Sequence, residues 1–142
     1  IGDVFPNLKI PMLTKDTLFL KDQLGKKLTI IDLWASWCAP CRKENREVLV
    51  PIWDEYHTQG LQIIAYGLES DASSWREAAE RDGANRWLQA SDLQGDDALF
   101  LKKIRIQTIP ANFVLNDKGV VIAKNVHGRD LMNLVKIYMK NK

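Results

Sequence analysis

The chain has 142 residues, 46% of them hydrophobic, and its 20 Lys and Arg against 18 Asp and Glu leave a net charge of +2. A chain of this length buries about two-thirds of its unfolded surface, which fits one compact domain over residues 1–142. The near-balanced, scattered charge gives no basis for nucleic acid or an anionic membrane as partner, and no apolar run approaches the roughly 20 residues that span a bilayer.

The chain opens on Ile1 rather than Met, so a removed upstream segment is expected: a signal peptide, a lipid anchor or a further domain. Leu28 to Ala35 is an apolar run of strand length interrupted by Asp32, and it reads as a buried central strand. Good helix formers follow Pro40 to about Gln59, with Cys41, Val48, Ile52 and Tyr56 on one side and a kink expected at Pro51. Gly60 ends that helix, and Leu61 to Leu68 makes a second strand. A long helix joins the two strands, so they run parallel as a βαβ unit.

Ser74-Trp75-Arg76-Glu77 has the pattern of a capping box opening a helix toward Arg81, followed by a short strand over Trp87 to Ala90. Asp96 to Ile104 reads as another helix. Ala111 to Leu115 and Val120 to Val126 flank the turn Asn116-Asp117-Lys118-Gly119 and form a hairpin. A last amphipathic helix, about Asp130 to Lys140, presents Leu131, Leu134, Val135 and Tyr138 on one face. Alternating strands and helices indicate an α/β class.

The chemistry sits in Trp37-Cys38-Ala39-Pro40-Cys41, which places the only two cysteines where the first strand passes into a helix. Free amide N–H groups and the positive end of the helix dipole stabilise an anion there, so Cys38 is expected to be the acidified nucleophile. Cys41, one turn deeper, is the resolving thiol. Closing so short a loop removes little unfolded-state entropy, which argues against a purely structural disulfide. Zinc needs more ligands than His57 and His127 supply at their spacing, and a haem attachment needs His where Arg42 stands. A peroxidatic thiol fits the two-residue spacing less well than dithiol cycling does. No metal or bound cofactor is implied. A binding scaffold without turnover, or a thiolate metal-delivery protein, remains the alternative class.

Two carboxylates compete as proton acceptor for Cys41. Asp32 lies in an otherwise apolar strand, so burial should raise its pKa. Glu44, three residues beyond Cys41, faces the same side of the helix. Arg42 and Lys43 are placed to stabilise the thiolate or to be solvated. Trp34, Trp53, Trp75, Trp87, Met12, Met132 and Met139 are read as packing. His57 and His127 receive no role.

With Trp-Cys-Ala-Pro-Cys at a strand-to-helix junction and Ile109-Pro110 ahead of a hairpin, nearly the whole chain resembles the thioredoxin fold. The opening Gly2-Asp3-Val4-Phe5-Pro6-Asn7-Leu8, Glu44, and the inserted helix near Ser74 to Arg81 resemble the TlpA/ResA-like group of exported bacterial thiol-disulfide oxidoreductases. The resemblance implies a central mixed sheet of four or five strands with helices on both faces. Residues 1–26 would be an extension carrying a β-hairpin. It implies a cis Ile109-Pro110 bond beside which an extended substrate pairs, and docking over Trp37, Ala39 and Pro40. It also implies disulfide- or thiol-containing protein substrates, and resupply of electrons by a membrane dithiol donor or thioredoxin-like reductant. The expected location is the periplasm or cell envelope. Ile109 leans the direction toward reduction.

Overall fold

The computed structural model describes residues 1–12, 14, 16–95, 104 and 108–140. The Asp96 to Ile104 helix expected from the sequence lies outside the described residues, except for the buried Ile104.

Two short strands, β1 (Lys9–Pro11) and β2 (Thr17–Phe19), pair antiparallel as the expected N-terminal hairpin. The main sheet contains β3 (Leu28–Trp34), β4 (Leu61–Gly67), β5 (Leu88–Ala90), β6 (Ala111–Asn116) and β7 (Val121–Lys124), in the order β5-β4-β3-β6-β7. β3 is parallel to β4, and β4 to β5; β6 runs antiparallel to both β3 and β7. This is a mixed sheet, with helices packed against it. Every residue of β3 is buried, as its place at the centre of five strands demands.

The N-terminal segment laps over both margins of the sheet, with bridges from Val4 to Val120 and from Met12 to Ala90. Phe5 meets Phe113 edge-on at 5.0 Å. These contacts cover strand edges that would otherwise expose unpaired backbone.

The helix after the cysteines is composite. α1 (Ala39–Glu44) passes through a π-helical turn (Asn45–Leu49) into α2 (Val50–Tyr56). Pro51 supplies no N–H, and the disruption expected there takes the form of this wider turn, in which the Val50 N–H reaches back to the Asn45 carbonyl. Cys41, Val48 and Ile52 are buried and Tyr56 is half-buried. Gly60, at φ +107°, turns the chain into β4 with a backbone that residues with a Cβ seldom adopt.

α3 (Ala72–Asp82) begins two residues before Ser74, where the sequence pattern opens the helix. Asp71 is the cap: its carboxylate accepts from the Ser73 and Ser74 N–H groups at 3.2 and 3.4 Å and from the Ser74 hydroxyl at 2.7 Å. An Asp at this position already satisfies the orphan donors, leaving Ser74 inside the first turn. The β6–β7 hairpin forms as expected, with Asn116 Oδ1 accepting from the Lys118 and Val120 N–H groups and Gly119 at φ +80°.

α4 (Gly128–Lys140) buries Leu131, Val135 and Met139 and half-buries Leu134 and Tyr138. Met132, expected to pack, is instead an exposed apolar side chain on this helix; it lies one position beyond Leu131 and so turns off the buried stripe.

Candidate active site

β3 ends at Trp34, and the next residues carry the chain to Cys38, whose non-helical backbone (φ −98°, ψ 101°) makes it the cap of α1. Its Sγ accepts from the Cys41 N–H at 3.3 Å, and the two sulfurs are joined in a disulfide with Cα atoms 5.3 Å apart. Cys38 is 7% exposed and Cys41 2%, so the outer sulfur belongs to the cap and the inner one to the core. On reduction, a Cys38 thiolate would face an amide donor and the positive end of the helix, both of which favour the anion.

The loop before Cys38 is held from the segment that follows β4. The Glu69 carboxylate accepts from the Ser36 N–H and, at 2.6 Å, from its hydroxyl, while the Trp37 indole N–H donates to the Leu68 carbonyl at 3.2 Å. Burial raises the Glu69 pKa, partly offset by the Ser36 hydrogen bonds. Trp37, next to Cys38, is 64% exposed, and Ala39 and Pro40 are exposed in the first turn of α1. Ser36, Trp37, Arg42, Glu77 and Arg81 line a groove of about 300 Å³ along this edge. Nothing in the sequence around Glu69 distinguished it from a surface carboxylate.

β6 enters the site from the other side. Its first residue, Ala111, lies opposite Leu33 in the antiparallel register, so Ile109 and Pro110 arrive at the end of β3 that leads to Cys38. Both are half-buried, and the peptide bond between them is cis.

Asp32 is buried on β3, and its Oδ2 has no hydrogen-bond partner among the described residues. Burial, reinforced by the nearby Glu44 carboxylate, holds its carboxyl well above the usual range. Glu44 is 9% exposed on the side of α1 that also buries Cys41. The two acids expected from the sequence thus approach one another beneath the disulfide helix. His127, to which the sequence pattern assigns no role, joins them: its Nδ1 lies 3.0 and 3.2 Å from the two Glu44 carboxylate oxygens. The pair is 83 positions apart in sequence, a separation at which no local pattern signals contact.

Arg42 is engaged by an acid on α3. Its Nε and Nη2 donate to the buried Asp82 at 2.9 and 3.2 Å, and Arg46 adds a third bond at 3.1 Å. The guanidinium is spent in an ion pair joining α1 to α3, since a buried carboxylate without cationic partners is costly. Lys43 is exposed and faces Glu47 at 3.8 Å. Trp34 and Trp75 are buried and both donate to Gln89 Oε1, and Trp87 is buried, as expected of packing; Trp53 is half-buried and stacks on His57. Among the described residues, no group of three or more His, Cys, Asp or Glu is placed to hold a metal ion.

The sheet order and the paired sulfurs at the helix cap agree with the comparison to known proteins, in which a Redoxin family model matches residues 1–136. The chain belongs to the Redoxin family. This redoxin is 26% identical over 141 residues to the thiol-disulfide oxidoreductase ResA of Bacillus thuringiensis, a match covering 99% of the chain and 77% of ResA. It is 29% identical over 97 residues to the sporulation thiol-disulfide oxidoreductase A of Bacillus subtilis, covering 68% of the chain but only 57% of that relative. The crystal structure of the thioredoxin domain of a thiol-disulfide oxidoreductase from Bacteroides vulgatus superposes with a TM-score of 0.87 at 25% identity, over 97% of this chain and 96% of that one. The fold of this redoxin is therefore thioredoxin-like, and its Cys38–Cys41 couple is that of a thiol-disulfide oxidoreductase.

Proposed function

We propose that the chain reduces disulfides of protein substrates outside the cytoplasm, with Cys38 as nucleophile and Cys41 as resolving thiol. The observation that carries this reading is the Cys38 sulfur at the cap of α1, hydrogen-bonded to the Cys41 amide and less buried than its neighbour. In the cycle, the Cys38 thiolate attacks a substrate disulfide, forming a mixed disulfide and releasing one substrate thiolate. Cys41 gives up its proton to Glu44 or Asp32 and attacks Cys38 Sγ. The second substrate thiolate leaves, the Cys38–Cys41 disulfide forms, and two electrons have passed to the substrate.

Trp37, Ala39, Pro40, Ile109 and Pro110 form the docking edge in this reading, the last two offering main-chain pairing that accepts varied substrate sequences. A membrane dithiol donor or a thioredoxin-like reductant returns the electrons. The location outside the cytoplasm rests on the resemblance to the exported TlpA/ResA-like group. No helix of the described residues is long and apolar enough to cross a membrane.

Reduction of insulin disulfides with a dithiol donor tests the activity. The native chain should turn over, Cys38→Ser should be inactive, and Cys41→Ser should accumulate client proteins bound covalently through Cys38. Glu44→Gln should lengthen the life of the mixed disulfide more than it slows its formation, by about tenfold or more if the carboxylate is the acceptor. A Cys41→Ser protein that never traps a client would overturn the proposal. Equilibration of the couple with glutathione decides direction, a potential near those of thioredoxins supporting the reductase.

A further inference from the structure

His127 sits where a buried acid pair meets water. Among the described residues, the ionisable group in contact with its ring is Glu44 on α1, with Asp32 beyond it on β3; Arg129 and Asp130 follow in the first turn of α4, which starts just after His127. The side chains grade outward: Asp32 is buried, Glu44 is 9% exposed and His127 is 35% exposed. Glu44 is the more buried partner of the contact, and the imidazole beside it is a proton-exchanging group with greater access to water.

The placement of this ring is built into the sheet. Asn112, fully buried on β6, lies directly opposite Asp32 in the register. Its Nδ2 donates to the Val126 carbonyl at 2.7 Å and its Oδ1 accepts from the Val126 N–H at 3.1 Å. Asn125, in the left-handed region at φ 55°, exchanges two further bonds with Asn112: its N–H donates to the Asn112 carbonyl at 2.8 Å and its Oδ1 accepts from the Asn112 N–H at 3.2 Å. The same strand position that faces Asp32 thus clamps the residue before His127.

We propose that His127 is a positioning and proton-exchange residue for the Glu44–Asp32 pair, the port through which the proton released by Cys41 reaches solvent. It deepens the function proposed above and rests on that dithiol cycle. When Cys41 resolves a mixed disulfide, its proton passes to the Glu44 carboxylate and from there to Nδ1 of a neutral His127. The Nε2 proton leaves to water, so the ring ends neutral with its proton on Nδ1 facing Glu44. Re-reduction of the disulfide runs the path in reverse, Nδ1 protonating the Cys41 thiolate through Glu44 while Nε2 takes a proton from water. Two electrons go to the departing substrate thiolate, which takes its own proton from solvent. No further oxidant or base is needed.

Stopped-flow reaction of the reduced protein with dithiobis(nitrobenzoate) reads both halves of the cycle. The first nitrobenzoate thiolate reports capture at Cys38 and the second reports resolution by Cys41. His127→Asn keeps an amide near the Nδ1 position but cannot titrate there. It should slow the second phase about tenfold or more relative to the first, remove one inflection from its pH profile, and regain rate when imidazole is added to the buffer. His127→Gln should behave in the same way, and the first phase of each trace verifies that the variant's site is assembled. A second phase equal to that of the native protein at every pH would overturn the inference. So would a slowed phase with an unaltered pH profile and no rescue by imidazole, the signature of a ring that only packs. Loss of the first phase in the native protein would instead overturn the dithiol cycle, and this inference with it.

Discussion

Asp32 bears a carboxyl group in a strand that leaves it almost no water, and one of its oxygens has no partner among the described residues. Its pKa is raised by burial and then by Glu44, so the folded chain holds this proton to a higher pH than the unfolded chain does. Between the unfolded value of about 3.9 and the raised folded value the native state binds more protons, and stability falls as pH rises through that window. Asp32→Asn removes the ionisation. In the oxidised protein it should raise Tm at about pH 8 by roughly 3 to 5 °C and converge with the native chain near pH 4. Thermal unfolding at the two pH values measures this, and a variant less stable at pH 8 would contradict it. Asp32 was legible in the sequence because it breaks an apolar run, and Glu44 because helical spacing sets it with Cys41. His127 was not legible, because nothing within several residues of it marks a partner on another element.

Asn112 ties β6 to the segment leading into α4 through both atoms of one buried amide. Asn112→Ala removes these two hydrogen bonds and leaves the Val126 N–H and carbonyl to find other partners. It should cost about 2 kcal/mol in denaturant unfolding and release the Val126 amide to faster hydrogen exchange. Unchanged protection at Val126 would show that the amide does not hold that segment. The helices follow the same logic of local donors seeking partners. Among the described residues, helix spans were readable to within a turn from periodicity, Pro51 and Gly60. The start of α3 was misplaced because both Asp71 and Ser74 are competent caps, and only the backbone shows which one meets the free N–H groups. The turn of Arg42 toward Asp82 had no local sign, since the acid lies 40 positions further along the chain.

In the molecule as a whole, β3 is the strand on which the site depends: fully buried, flanked by β4 and β6, and leading directly to Cys38. Ile31→Ala, in the middle of that strand, should lower stability by about 2 to 5 kcal/mol, read as a fall in the urea midpoint with little change in the slope. A loss below about 1 kcal/mol would mean that the surrounding layers collapse onto the gap. The N-terminal segment, bridging β7 at Val4 and β5 at Met12, joins the two margins of the sheet into the same packing unit.

The paired cysteines, the apolar strand ahead of them and the helix behind them could be recognised from residue order alone, because strand alternation, helical spacing and cap chemistry act over a few residues. The order of the five strands beyond the βαβ unit, the clamp of Glu69 on Ser36, the capture of Arg42 by Asp82 and the meeting of His127 with Glu44 emerged only when distant elements packed. Each joins groups far apart along the chain, which meet only when the elements that carry them pack against one another.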